Sequence, residues 1–186
     1  GVDDDLIDGS VTSSVTIAVL DGSSDDAFDP LADASVSVTT TDDDAAGFTI
    51  AGSPSVDESG TTGTFTVVLD RQPLTNVLLD ITTGDATEVT VAPSQLTFLP
   101  GTWDTPQTVT VTGVDDAFVD GDQTTAVTVS VNDLNSDDAF DELADGAASV
   151  TTTDDDVAGL TIAESAGSTS VTEAAGDTNK IGRAHV

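Results

Sequence analysis

Val alternates with Thr or Ser through TVTVTG (108 to 113) and AVTVSV (126 to 131). This period of two sends Val to a buried face and the hydroxyls to the other. No apolar period of 3.6 persists long enough anywhere to predict an amphipathic helix. The pattern predicts strands at 47 to 50, 64 to 69, 77 to 82, 88 to 91, 95 to 98, 107 to 113, 126 to 131 and 148 to 153. Turn chemistry separates them: RQP at 71 to 73, TTGD at 82 to 85, APS at 92 to 94, LPGTWDTP at 99 to 106 and VDGD at 119 to 122. Seven or eight short strands at such spacing predict an antiparallel β-sandwich. Trp103, in the longest of these turns, is expected to plug the core from a loop rather than line a binding site.

The same pattern occurs twice. Shifting the chain by 112 positions lays residues 1 to 51 on 113 to 163 with 33 of 51 positions identical. GVDD (1 to 4, 113 to 116), SDDAFD (24 to 29, 136 to 141) and TTTDDD (39 to 44, 151 to 156) all recur. After Ala163 the register slips by three, SVDE at 55 to 58 matching SVTE at 170 to 173. A period this long is a domain-sized bead and not a solenoid rung. The expected organisation is the second half of one repeat at 1 to 44, a complete repeat at 45 to 156 and the opening of a third at 157 to 180.

Composition narrows the function classes. The formal net charge of -32 comes from 35 acids, 30 of them Asp, against three Lys and Arg. Phosphate binding needs cations this chain lacks, so nucleic acid is excluded as a partner. There is no apolar run of about 18 residues to span a membrane, and no basic-then-apolar leader is visible. Cys is absent, which removes disulfides, thiolate nucleophiles and Cys-based zinc sites. The final IGRAHV (181 to 186) departs in style from the rest and holds Arg183 and the single His, His185. It resembles the translation of a common sequencing-adapter oligonucleotide, whose frame also completes the codon of Lys180. These residues are set aside as a read-through scar, which leaves Arg71 as the one secure basic side chain.

Asp is a poor strand former and a good turn residue, so single acids such as Asp21 and Asp80 read as solvated. The triplets do not. Two unit charges 4 Å apart cost about 1 kcal/mol in water and about 4 kcal/mol at an effective dielectric of 20. Converging carboxylates therefore call for protons or for a bridging cation, and calcium accepts six to eight oxygen ligands. An extended chain sends Asp154 and Asp156 to one side and Asp155 to the other, so a turn is needed before all three face one ion. Ala158 and Gly159 supply a permissive hinge for it. Asp115, Asp116, Asp120 and Asp122 share one strand-to-strand loop.

VDE (56 to 58), LTFLPGTWDTPQTVTVTGVDD (96 to 116), the VDGD after it and DDDVAGL (154 to 160), in this order and spacing, resemble Calx-β domains and their bacterial repeat relatives. The resemblance spans the whole 112-residue unit. It implies an immunoglobulin-like β-sandwich in tandem array, with calcium held by carboxylates at the end of each domain that meets the next. Carried over residue by residue, it implies Glu58, Asp115, Asp116, Asp120 or Asp122, Asp154, Asp155 and Asp156 as ligands in the complete repeat. Asp3, Asp4, Asp8, Asp42, Asp43 and Asp44 take those roles in the preceding one, and Glu173 begins the next. Glu88 stands where the family commonly has Asp before an aromatic. The loop here carries Asp where the family often has Glu, a shorter reach for a bidentate ligand.

Three functions compete. The first is a calcium-binding structural or adhesive module of a secreted or cell-surface protein, its partners being adjacent repeats and other surface proteins or glycans. The second is an acid-surfaced spacer adapted to salt, against which stands the recurrence of the clusters at matched positions. The third is catalysis, as in a carbohydrate-active enzyme's accessory region, since paired carboxylates about 5 to 9.5 Å apart can cleave glycosides. Scarce aromatics, at 4%, and the tandem repetition argue against an enzyme.

Overall fold

The computed structural model describes residues 1 to 160. Most of the expected third repeat, and the set-aside tail, therefore lie outside the described residues. Gly1–Asp156 form one compact unit containing eleven strands and no α-helix: β1 Val11–Ile17, β2 Ala34–Thr40, β3 Phe48–Ala51, β4 Ser55–Asp57, β5 Thr62–Leu69, β6 Val77–Thr83, β7 Val89–Ala92, β8 Gln95–Phe98, β9 Gln107–Gly113, β10 Gln123–Val131 and β11 Gly146–Thr153.

Residues 48 to 153 build an immunoglobulin-like sandwich of a five-stranded sheet, β4-β11-β10-β6-β8, and a four-stranded sheet, β3-β5-β9-β7. The alternation has its expected effect: Val109, Val111, Val127 and Val129 are fully buried, packed with Phe65, Phe98 and Phe140 between the sheets. Each such side chain contributes about 1.5–3 kcal/mol on burial. Trp103 packs partly buried against this core from its loop. Asp80 departs from expectation. It lies within β6 and accepts hydrogen bonds from Gln95 Nε2 (2.6 Å) and Asn132 Nδ2 (2.8 Å), because amide donors on β8 and beyond β10 reach its outward face.

Two features had no sequence signal. β4 is three residues long, too short to show a period, and it runs parallel to β11 in an otherwise antiparallel sandwich. Pro54 separates it from β3: proline cannot donate to a ladder, yet its carbonyl accepts from Thr151 N (3.2 Å) and so lays the next residues against β11. The chain thereby changes sheets between β3 and β4. Outside the sandwich, β1 and β2 pair as a separate two-stranded sheet.

Candidate metal centre

The register of β4 on β11, Thr153 beside Asp57, sets the next residues of each strand side by side. These are Glu58 and Asp154, 96 positions apart in sequence. Carboxylate oxygens of Glu58, Asp154 and Asp156 all lie within 4.8 Å of one another. Ligands at calcium distances of about 2.3–2.6 Å fit inside that span. Glu58 is only 1% exposed. Its Oε2 and Oδ2 of Asp156 are buried without a hydrogen-bond partner, an expensive state for a carboxylate.

The loop between β9 and β10 closes the site. Gly113 ends β9 so close to β4 that a Cβ there would stand 2.0 Å from the Asp57 carbonyl oxygen. Only glycine lets the two backbones pass. From there the loop holds itself in place: Phe118 N donates to Asp116 Oδ1 (2.6 Å), and Gly121 N to Asp154 Oδ2 (2.7 Å). Asp154 Oδ1 accepts from Asp156 N (2.8 Å), so one carboxylate ties loop to strand end. Gly121 adopts φ +78° at this turn.

Electrostatics reflect the crowding. Burial pushes the Glu58 carboxyl above its ordinary pKa, and the charges of Asp154, Asp116 and Asp120 push it further. Asp156 is raised in the same way, by burial first and then by Asp154, Asp155, Asp116 and Asp115. Glu88, buried just before β7 with Oε2 unpartnered, is raised by burial and by Asp120, Asp85 and Asp116. It lines a cleft of about 600 Å3 with Asp85, Asp116, Phe118 and Asp120. Asp116 and Asp120 thus face both buried glutamates.

The other sequence-derived candidates sit differently. The alternation at the strand end persists: Asp154 and Asp156 are partly buried while Asp155 is exposed, and the triad forms without it. Asp115 and Asp122 are exposed. Asp122 Oδ1 lies 3.4 Å from Asp154 N and so braces the strand end. Glu173 lies outside the described residues.

In the preceding segment Asp3, Asp4, Asp8, Asp42, Asp43 and Asp44 line a common cleft of about 220 Å3. The bonds from Gly9 N and Asp44 N to Asp42 repeat those from Gly121 N and Asp156 N to Asp154. Asp42 accepts from Asp8 N (3.0 Å) and Gly9 N (2.6 Å) through Oδ2 and from Asp44 N (2.9 Å) through Oδ1. These N–H donors, that of Asp44 foremost, hold its carboxyl below the usual range. Asp44, the counterpart of Asp156, is paired with Arg71 (Nε to Oδ1 2.6 Å), and Asp5 lies 4.0 Å from the same guanidinium.

No protein-family model matches the chain, and no curated protein matches it. Among solved structures it is similar to the E. coli chaperone DraB (9% identity, TM-score 0.43, covering 61% of this chain and 57% of that one). It is also similar to domains 4 and 5 of the S-layer protein SbsC (19%, TM-score 0.38, 63% and 59%). A third is SSP-19, an MSP-domain protein like family member in Caenorhabditis elegans (17%, TM-score 0.36, 55% and 92%). The matched region spans less than two thirds of the chaperone and S-layer chains.

Proposed function

We propose that the chain is a structural repeat module of a secreted or cell-surface protein, of Calx-β type, in which calcium at the repeat ends stiffens a rod. The observation that carries this is the triad of Glu58, Asp154 and Asp156, with two buried carboxylate oxygens lacking any hydrogen-bond donor. An oxygen-only donor set of high negative charge suits a hard cation of calcium's size. These three residues would hold the ion, with Asp116, Asp120 and Glu88 supplying further charge beside it. The ion would neutralise the repulsion that crowds this end and so join β4, β11 and the β9–β10 loop. Adjacent repeats are the first partners of such a rod, with surface proteins or glycans beyond them. The module's role is mechanical and not catalytic.

A thermal melt in chelator and then in about 0.1–1 mM calcium, the range of extracellular modules, tests it at constant ionic strength with a magnesium control. A saturable, calcium-specific rise in Tm is expected, together with direct binding by calorimetry. Glu58→Gln combined with Asp156→Asn should abolish both while leaving the chelated protein folded. A melt that tracks total salt alone would replace this reading with that of an acid-surfaced, salt-adapted spacer.

A further inference from the structure

Leu6 and Ile7 are the counterparts, 112 positions earlier, of Phe118 and Val119. The two loops share their local conformation. Leu6 N donates to Asp4 Oδ1 (3.0 Å) as Phe118 N donates to Asp116 Oδ1 (2.6 Å). Gly9 N reaches Asp42 as Gly121 N reaches Asp154, and Gly9 and Gly121 have φ of +75° and +78°. Their surroundings differ. Leu6 forms a parallel bridge with Gln72, Ile7 N donates to Gln72 O (3.1 Å), and Gln72 N donates to Asp5 O (2.8 Å). Ile7 packs on the edge of the sandwich core. Phe118 and Val119, by contrast, are 71% and 58% exposed. Among the described residues no hydrogen bond is made by Val119 N or by the Ala117 carbonyl, the counterparts of the Ile7 and Asp5 groups.

We propose that Ala117–Phe118–Val119 is a preformed docking edge for the β5–β6 turn of a succeeding repeat, which would pair with it as Gln72 pairs with Asp5, Leu6 and Ile7. The occupant is specified by the first loop: a turn with the backbone of Arg71–Gln72–Pro73, presented by a sandwich whose core edge receives the Val119 side chain. The two loops share the Asx hydrogen bond and the positive-φ glycine latch, and among the described residues only the first has a sandwich edge paired with it. Because the edge lies at one end of the sandwich and the turn is presented to the repeat before it, the contact is head-to-tail and does not close on itself. Each added repeat would repeat the same geometry, giving a rod of fixed pitch. The proposal rests on the array reading above but not on calcium.

The test is amide hydrogen exchange in this chain and in one where a second copy of residues 45 to 156 is joined after Asp156, each in chelator and in calcium. In the present chain Ile7 is expected to exchange slowly and Val119 fast. In the extended chain Val119 should slow at least about tenfold, and a Val119→Pro change, which removes the donor, should leave the two sandwiches folded but free to reorient, as read by small-angle scattering. An Ile7 amide that exchanges as fast as Val119 in the present chain would remove the template and overturn the proposal without needing the extension. So would an unprotected Val119 beside two sandwiches whose Val67 and Val127 amides are protected. Protection of Val119 that persists in chelator, with calcium failing to bind, would sink the calcium reading and leave this one standing.

Discussion

The hairpins β1–β2 and β10–β11 are the same structure in two environments. Their registers coincide pair for pair at an offset of 112: Val11 faces Thr40 as Gln123 faces Thr152, and Ile17 faces Ala34 as Val129 faces Gly146. Yet Ile17 is 64% exposed and Val129 fully buried, and Phe28 is exposed where Phe140 is buried. Hairpin pairing is therefore local, set by alternation and by the turn between the strands. Burial is supplied from outside, by β6 pairing with β10 and by the facing four-stranded sheet.

The acidic loops extend the comparison. Both hairpins form the carboxylate latch to a positive-φ glycine, because it uses only neighbouring backbone N–H groups. Among the described residues only the second shows a metal triad, to which Glu58 comes from the end of β4. Asp44 has Arg71 beside it instead, a cation supplied by protein.

The two hairpins should differ most in their tolerance of a charge at matched positions. Val129→Asp buries an unpaired carboxylate and should cost at least about 3 kcal/mol, enough to unfold much of the sandwich, whereas Ile17→Asp should stay within about 0.5 kcal/mol. Urea melts of the two variants decide it, and equal effects would mean that the first hairpin is covered in solution. Next in size, Gly113→Ala should cost about 1–3 kcal/mol through its clash with the Asp57 carbonyl and should weaken calcium binding as Glu58 shifts. A calorimetric titration unchanged from wild type would show that the β9–β4 approach does not position the site.

pH acts with opposite sign on the crowded carboxylates and on those held by hydrogen-bond donors, which are Asp42 in the first region and Asp57 and Asp85 in the second. Glu58, Glu88 and Asp156 have raised pKa values in the folded state, so the native protein holds more protons than the unfolded chain between the unfolded and folded values. In chelator, stability should therefore rise as pH falls from 7 toward about 4, the ordinary carboxyl range. In calcium the slope should reverse, since protons compete for the ligands. Asp42, lowered instead, contributes above its unfolded pKa and loses that contribution only as pH falls below about 4. Melts from pH 4 to 7 with and without calcium read both. A stability in chelator that falls steadily with pH across this range would contradict the crowding at the triad. The smallest effect is at Arg71, whose half-exposed pair with Asp44 should contribute under about 1 kcal/mol. Arg71→Gln should lower Tm slightly in low salt and not at all in about 1 M salt.

What the sequence determined by itself were the properties that depend on neighbours along the chain. The Val alternation of β9 and β10, the turns, the side each Asp of the triplets takes and the repetition of both loops were legible because period and turn chemistry act over a few residues. The strand ends differ from expectation by a few residues at most, as at β7 (88 to 91 expected, Val89–Ala92 observed). The family resemblance named Glu58, Asp154 and Asp156 among its acids, but only the folded chain shows which of those acids meet and how. The parallel seating of β4 on β11 joins Glu58 to Asp154 and Asp156 across 96 residues, and a three-residue strand carries no period to announce it. The same packing buries Glu88 beside Asp116 and Asp120 and leaves Asp155 outside. Among the described residues it also covers one of two hairpins of one pattern, because burial depends on the surface that faces a strand in space and not on its neighbours in sequence.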